Sequence, residues 1–410
     1  KGTWRFRLPM QITGSATDAR QAQAPDRPAP SRNLLAACVA HALHDGYTDS
    51  LYAFLPVWQA QFGLSYAGLA LVRALYSGTM GGLQIPGETA LKRLSSRAAL
   101  TLATVIAALG FIIMALSNTL AGLCAGLVIA GVGSSIQHPR GSLLVSTTYG
   151  KAARGPLGVY NFSGDLGKAS LPALAACLLP MVDWRSVTGL LGVLGLGVAL
   201  AIAALAPTGN AVAPGKPDAA ATTGSHRGFA LLAVIGALDT AARMGYLLFL
   251  PFLIHARGGT SATIGLGLAL LFIGGALGKA TCNRLAQALG VVGCVIVTEM
   301  ATALLIGLTL WTALMPMLVA LPLLGIALNG TSSVLYGTVP ELARDGNTGR
   351  AFAQFYTCVI GSGGLAPIFY GAVADHSSRT VAVVAAAATA AMIVPLVLAL
   401  RPFLRPHAGQ

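Results

Sequence analysis

The chain repeats an apolar segment at an offset of 195 residues. Residues 51–63, which contain Phe-Leu-Pro, are matched by residues 246–258, which contain the same tripeptide. Further matches at nearly the same offset pair 133–136 with 331–334 and 154–155 with 350–351. An entire apolar half has therefore been duplicated in parallel. Parallel membrane repeats of this size indicate an alternating-access transporter whose substrate site lies between the halves.

The composition indicates that membrane lipid is the main solvent of the chain. Of its 410 residues, 55% are hydrophobic and 10% are charged, and the mean hydropathy is +0.72. A soluble domain carries about 25% charged residues, which it needs to cover its surface. The net charge of +13 does not indicate a nucleic-acid partner. The basic residues lie in loops and tails, where positive charge sets membrane orientation.

Apolar runs of about 20 residues, long enough to cross a bilayer, recur along the chain with short polar breaks. We predict an all-α membrane protein with twelve transmembrane helices in two pseudo-symmetric halves of six. The predicted spans are 34–57, 66–90, 98–116, 120–147, 156–180, 187–206, 229–254, 261–282, 291–314, 317–340, 351–374 and 380–400. The predicted regions are a disordered cytoplasmic tail at 1–32, halves at 33–206 and 228–403, a cytoplasmic linker at 207–227 and a second tail at 404–410.

The basic residues of the polar breaks predict the orientation. One side carries Lys92, Arg93, Arg97, Lys151, Arg154, Lys216, Arg227, Lys279, Arg284, Arg344, Arg350, Arg401 and Arg405. The other side carries only Arg185, Arg257 and Arg379. Since positive charge favours the cytoplasmic side, we expect both termini in the cytoplasm. The membrane expected for the function given below is a bacterial inner membrane.

The sequence contains no motif for an enzyme, a metal site or a cofactor. Its six cysteines stand singly in apolar runs, and neither CxxC nor any His/Cys ligand spacing occurs. HExxH, GxSxG and P-loop patterns are absent from the sequence as well. We therefore expect no enzyme activity, no metal and no cofactor, and transport driven by an ion gradient.

Span one carries an unusual number of titratable side chains. His41, Asp45 and Asp49 are spaced by four residues, which places them on one helical face, and His44 lies beside them. A charge near the bilayer centre costs about 2.5–3.5 kcal/mol on insertion scales, so titratable residues at this depth require a functional or structural explanation. The four residues are our proton-coupling candidates, with Asp45 as the main carrier. The alternative is a structural hydrogen-bonding cluster.

Span seven carries Asp239 and Arg243 one helical turn apart. They form either a neutralised pair that permits membrane insertion or a gate and substrate site in which the arginine exchanges partners. The offset of the repeat places Asp239 at the position of His44 in span one. Polar residues at matching positions of both halves fit a site on the pseudo-two-fold axis.

Arg73 in span two and Arg140 in span four are candidates for anion recognition, together with His138. A guanidinium group presents a planar fork of donors that suits phosphate, phosphonate and carboxylate. The alternative for Arg140 is that its side chain reaches to the cytoplasmic interface.

Span five contains Asp165 and Lys168, which are three residues apart and are interpreted as a structural ion pair. Glu299 in span nine has no evident partner in the sequence and is interpreted as structural.

The twelve spans, the central linker and the polar first span resemble the major facilitator superfamily. Within it, the chain is similar to the fosmidomycin-resistance branch in three segments. These are Gly131-x-Gly133-Ser134-Ser135-x-x-His138-Pro139 in span four, His41-x-x-x-Asp45 in span one and Gly164-x-x-Gly167 before Pro172 in span five. The resemblance implies a cavity lined by spans one, four, seven and ten. The loop after span two departs from the family pattern, with Leu91 in place of the usual acid.

The expected function is secondary active transport of a small organic, anionic or zwitterionic solute, with efflux in exchange for protons as the leading mode and drug resistance as a role. Proton-coupled uptake of a metabolite anion is the first alternative. A transport-dead membrane sensor or scaffold is an alternative of a different class. The expected partners are the solute, protons and membrane lipid, and the expected functional unit is a monomer.

Overall fold

The computed structural model describes residues 32–91, 93–205, 225–343 and 348–404. These residues form α-helices and short 3-10 turns, with no strand. The α-helices are α1 (Arg32–Phe62), α2 (Tyr66–Gly82), α3 (Gln84–Ala90), α4 (Ser96–Leu116), α5 (Leu120–Tyr149), α6 (Arg154–Leu178), α7 (Trp184–Leu205), α8 (His226–His255), α9 (Ser261–Trp311), α10 (Leu314–Leu342), α11 (Thr348–His376) and α12 (Arg379–Leu400). The predicted tails at 1–32 and 404–410, except for Arg32 and Leu404, lie outside the described residues, as does nearly all of the linker at 207–227.

Eight of the described helices, α4, α5 and α7 to α12, are long and apolar enough to cross a membrane. Inside lipid a helix satisfies its own backbone groups, which explains why the apolar runs fold this way. Several helices begin at a side-chain cap. The hydroxyls of Ser65, Ser95 and Thr119 each accept a hydrogen bond from the backbone N–H three residues further on.

Helix α9 spans two predicted transmembrane segments, because its 51 residues fold back at Gly290. The φ of Gly290 is 72°, in the left-handed region that favours glycine. The Cys294 thiol lies 3.5 Å from the Cys282 carbonyl oxygen, although residues twelve apart in a straight helix are about 18 Å apart. The expected loop between spans eight and nine is therefore a single-residue reversal between two antiparallel arms.

The second predicted span contains two helices, α2 and α3, which meet at Leu83. The described chain thus has twelve α-helices that do not correspond one to one with the twelve predicted spans. The span count and the division into two halves of six stay predictions.

Two helix pairs make extensive contacts between α1–α7 and α8–α12: α2 packs on α11, and α6 packs on α9. The repeat relates span two to span eight and span five to span eleven. The two pairs are therefore equivalent under the repeat, as a pseudo-two-fold axis requires. Within each set, α1 contacts α5, α6 and α7, and α8 contacts α9 to α12.

One carboxylate joins α11 to the start of α2. Asp375 Oδ1 accepts from the backbone N–H of Tyr66 at 2.8 Å, and Oδ2 accepts from that of Ala67 at 2.9 Å. N–H groups of the first helical turn have no partner within the helix and favour negative charge. The Tyr66 ring also packs edge-on against Phe249 and Phe252 of α8. These contacts close the two sets of helices against each other at the α1–α2 end of the molecule.

Asp375→Asn should loosen this closure, because an amide supplies one acceptor oxygen and no charge. A loss on the order of 1 kcal/mol would shift the population of the open state about fivefold. Spin-label distances between the α1–α2 turn and the α11–α12 turn measure that population. Asp183→Asn is the matched control, since Asp183 pairs with Arg185 two residues away. Equal distance distributions in both variants would contradict the closure.

Candidate functional site

Asp45 is the buried centre of an ionic cluster formed by α1, α5 and α6. Its Oδ2 lies 3.1 Å from His41 Nε2 and 3.4 Å from Lys168 Nζ, and its Oδ1 lies 3.5 Å from His138 Nε2. Asp45 itself is 7% exposed. We call these four residues the Asp45 cluster. It brings together His41 and Asp45, expected to couple protons, with His138, expected to bind substrate, and Lys168.

Glycines allow α1 and α6 to approach closely enough to form the cluster. A Cβ on Gly164 would lie 2.5 Å from Asp45 Oδ2, and a Cβ on Gly167 would overlap the backbone of Ala42. A Cβ on Gly46 of α1 would lie 2.9 Å from the Gly167 carbonyl oxygen. The Gly164-x-x-Gly167 segment thus serves the helix crossing that holds Asp45.

The predicted ion pair between Asp165 and Lys168 is wrong. Both Asp165 oxygens accept from Lys279 Nζ at 2.7 Å, while Lys168 pairs with Asp45. The prediction considered α6 alone, whereas α1 and α9 bring closer partners to the two side chains. Lys279 was counted among the basic residues of the polar breaks, but it lies within α9. The Asp165–Lys279 pair therefore links the two sets of helices across the α6–α9 contact.

His44 lies in a network of hydroxyl groups. Its Nδ1 is 2.9 Å from Ser134 Oγ and its Nε2 is 3.2 Å from Thr104 Oγ1. The Tyr76 hydroxyl is 2.7 Å from the same Ser134 oxygen. The His44 side chain is fully buried, and both ring nitrogens have hydrogen-bond partners. This environment favours a structural role for His44 over the expected role in proton coupling.

Asp239 and Arg243 are connected through Ser332 of α10. The Ser332 hydroxyl donates to Asp239 Oδ2 at 2.8 Å, and Arg243 Nη1 lies 3.5 Å from the same hydroxyl and donates to Asn329 Oδ1 at 3.1 Å. In the repeat, Ser332 corresponds to Ser134, just as Asp239 corresponds to His44. The contact between this serine and the side chain of the first or seventh span therefore occurs in both halves, at 2.9 Å for Ser134 with His44 and 2.8 Å for Ser332 with Asp239.

Arg73 and Asp49 lie near the contact between α1 and α8. The Arg73 guanidinium carbon is 4.1 Å from the centre of the Tyr52 ring, and the Tyr52 hydroxyl lies 3.3 Å from Met244 Sδ of α8. Asp49 is 5% exposed and makes no hydrogen bond or ion pair with the described residues. Arg73 likewise donates no side-chain hydrogen bond to them. Both charged groups are buried, and Arg73 Nε has no hydrogen-bond partner among the described residues.

The expected anion-binding role of Arg140 is not supported. Its Nη2 donates to the Leu91 carbonyl oxygen at 2.6 Å and its Nη1 to that of Leu94 at 3.2 Å. The side chain is 1% exposed, so it does not reach the interface either. Carbonyl groups between α3 and α4 occupy the donor fork, which makes Arg140 an anchor for that turn.

His41, Asp45 and His138 also have the donor types of a metal site. One ligand atom of each lies within 4.8 Å of the others. The Lys168 ammonium group, 3.4 Å from Asp45, already supplies positive charge at this carboxylate and would repel a cation. We therefore assign no metal to the Asp45 cluster.

Two contacts of the site were missed by the sequence analysis. Lys279 was treated as an orientation signal, and Glu299 was treated as a residue without a partner. Glu299 is 1% exposed and lies on the second arm of α9, in the electrostatic neighbourhood of Asp239 and Arg243. The offset of 195 residues contained the signal, because it relates Glu299 to Thr104, the partner of His44.

Comparison with known proteins finds similarity to membrane transporters. A model of the Major Facilitator Superfamily matches residues 37–232, just under half of the chain. No curated protein matches significantly. A solved bacterial homolog of the human lysosomal transporter Spinster, in an inward-facing and occupied conformation, is 15% identical, with a TM-score of 0.71 over 92% of this chain and 98% of that one. A POT family transporter in complex with 5-aminolevulinic acid is 13% identical, with a TM-score of 0.75 over 91% of this chain and 96% of that one.

The structural similarities show a shared transporter fold at low sequence identity. The family match covers residues 37–232, and the similarity to the solved transporters extends the shared fold over more than 90% of this chain. They do not single out the fosmidomycin-resistance branch.

Gly167→Ala should destabilise the protein by about 1–3 kcal/mol, because the added methyl group forces α1 away from α6. Thermal unfolding of the purified protein in detergent measures the effect. Gly158→Ala on the same helix is the control, since nothing lies within 4 Å of a Cβ there. Its expected effect is neutral or stabilising by up to about 1 kcal/mol. Equal losses of stability in the two variants would contradict a close crossing at Gly167.

Proposed function

We propose that the chain is a proton-coupled exporter of a small anionic or zwitterionic organic solute in a bacterial inner membrane. The observation that carries this proposal is the Asp45 cluster, a buried carboxylate with basic side chains from three helices around it. A buried charge is expensive unless it is paired, so binding a proton there changes the pairing of the whole cluster.

Proton binding at Asp45 releases Lys168 from its partner. The imidazoles of His41 and His138 lie beside the carboxylate and provide the route for the proton. Lys168, once released, can turn to Asp165, which lies three residues earlier on the same helix and holds Lys279 of α9. Weakening the Asp165–Lys279 pair frees α6 to move against α9. A proton on α1 thereby favours a change in how the two sets of helices contact each other.

The substrate site of this proposal lies between Arg73 and Arg243. Arg73 has its guanidinium on the Tyr52 ring, and Arg243 reaches across from α8 to α10. Two guanidinium groups suit a carboxylate, phosphate or phosphonate, and Asp49 is available for the amine of a zwitterion. The pseudo-two-fold halves and cytoplasmic termini of the sequence analysis complete the proposal.

A growth assay in a bacterial host stripped of its exporters tests the proposed substrate class. The panel contains phosphonates, carboxylates and amino acids, each with a neutral analogue of similar size. Expression of the chain should raise tolerance to an anionic or zwitterionic compound and not to its neutral analogue. Uptake in everted vesicles with an imposed pH gradient then shows the direction of coupling. Transport only in the direction of proton movement would indicate uptake by symport and contradict export.

Asp45→Asn should abolish accumulation driven by the pH gradient and leave substrate exchange without a gradient measurable, because an amide cannot carry the proton. Everted vesicles loaded with the substrate identified in the growth assay measure both activities. Asp183→Asn, which changes an exposed carboxylate, serves as the control and should transport normally. Gradient-driven accumulation by Asp45→Asn would refute proton transfer at this residue.

Arg73→Lys should weaken the apparent substrate affinity about tenfold or more, because lysine keeps the charge and loses the bidentate fork. Arg140→Lys is the matched comparison. It should lower the amount of folded protein, through lost contacts with the Leu91 and Leu94 carbonyls, and leave the affinity of the remaining protein unchanged. Concentration dependence of transport, normalised to membrane protein, separates the two effects. An affinity loss in Arg140→Lys alone would reverse the assignment.

A further inference from the structure

An open groove lies where the start of α4 packs against the end of α7. Its volume is about 490 Å³, within the range of about 300–1,000 Å³ found for ligand pockets. Its walls include Ser95, Arg97, Thr101, Leu102, Val105 and Ala203. None of these residues belongs to the Asp45 cluster or to the proposed substrate site, so the transport mechanism leaves the groove without a role.

The groove belongs to a surface that faces lipid. Both α4 and α7 are long and apolar enough to cross a membrane. Leu102, which lines the groove, is exposed, and so is Leu109, two helical turns further along the same face of α4. Leu200, one turn before Ala203 on α7, is exposed as well. Neighbouring exposed leucines on two membrane-spanning helices provide a wall for acyl chains.

Arg97 supplies positive charge at the polar end of the groove. Its side chain is partly buried and makes no hydrogen bond or ion pair with the described residues. The first turn of α4 contains no acid that could pair with it. The Ser95 hydroxyl accepts from the backbone N–H of Ala98 at 3.2 Å, which leaves its own proton free to donate. A guanidinium and a hydroxyl donor side by side suit a phosphate group.

The position of these donors points to a lipid headgroup. Arg97 is the second residue of α4, and Ala203 lies two residues before the end of α7. The polar end of the groove therefore lies where two spans end and headgroups begin. The sequence predicts that this side is cytoplasmic, and basic pockets between spans on that side bind anionic headgroups. A free anion would use Arg97 but would leave the apolar wall at Leu102 uncovered.

We propose that the groove between α4 and α7 is a binding site for an anionic phospholipid. The lipid phosphate accepts hydrogen bonds from the Arg97 guanidinium and the Ser95 hydroxyl, and one acyl chain lies along Leu102 and Val105. Contact with Ala203 lets the same lipid join α4 to α7 on their lipid-facing side. The site goes beyond the proposed function and does not depend on it, because binding requires neither a substrate nor a proton.

Native mass spectrometry of the full chain in detergent, titrated with phosphatidylglycerol, measures the binding of single lipid molecules. The first phosphatidylglycerol should bind wild type about tenfold more tightly than Arg97→Gln, because the variant loses a charge-assisted hydrogen bond to the phosphate. Phosphatidylcholine should bind wild type more weakly than phosphatidylglycerol, since its choline brings a second positive charge near Arg97. Arg93→Gln is the matched control. It removes one positive charge from the turn before α4, outside the groove, and should bind like wild type.

A second pair of variants tests the apolar part of the groove without changing the charge. Ala203→Leu fills the groove and should weaken phosphatidylglycerol binding several-fold. Ala204→Leu adds the same side chain at the next, exposed position and should leave binding unchanged. This pair keeps the test decisive should Arg97→Gln not fold.

Equal affinity of phosphatidylglycerol for wild type and Arg97→Gln would overturn the site, as would equal affinity for Ala203→Leu and Ala204→Leu. Release of the lipid by inorganic phosphate would identify a site for a free anion and refute the lipid assignment. A dimer in the same spectra that Ala203→Leu dissociates would show that a second copy of the chain occupies the groove, which also refutes it.

Discussion

The contact on which the rest of the structure depends is the ion pair between the buried Asp45 of α1 and the partly exposed Lys168 of α6. The Asp45 carboxylate is expensive to hold inside an apolar bundle without a partner, and Lys168 supplies the positive charge beside it. Gly164 and Gly167 of α6 let α1 and α6 come close enough for this pair to form. Through Asp165 the same helix reaches Lys279, which extends the network from the first set of helices to the second. A proton bound at Asp45 therefore affects both sets of helices.

Duplication explains why polar groups lie deep in both halves, and divergence explains why they differ. The positions of His44, Thr104 and Ser134 recur as Asp239, Glu299 and Ser332, and the contact with the serine is present in both halves. The first half uses neutral hydroxyl partners there and places its charges at Asp45 and Lys168. The second half places its charges directly on the repeated positions. The two halves therefore hold buried acids at different positions of the same scaffold.

Much of the fold follows from the sequence, because lipid imposes a strong rule: long apolar runs become helices. Helix boundaries such as Leu120–Tyr149 for the predicted 120–147 agree within a few residues. The reversal at Gly290 was not predicted, since a single glycine gives little loop signal.

The pairing of side chains was predicted less well than the helices. Asp165 and Lys168 are close in sequence, yet their partners come from α9 and α1, and only the packing of helices decides such a competition. Arg140 was misjudged for the same reason, because the carbonyls that hold it are nearly fifty residues away.

A double-mutant cycle on Asp45 and Lys168 tests the central claim most directly. Lys168→Met leaves the buried Asp45 carboxylate without its ammonium partner, and Asp45→Asn leaves the Lys168 ammonium without its carboxylate, so each should lower the unfolding temperature of the purified protein. The double variant removes both charges and should be more stable than either single variant. Losses that simply add in the double variant would show that the two side chains do not depend on each other, and would contradict the account.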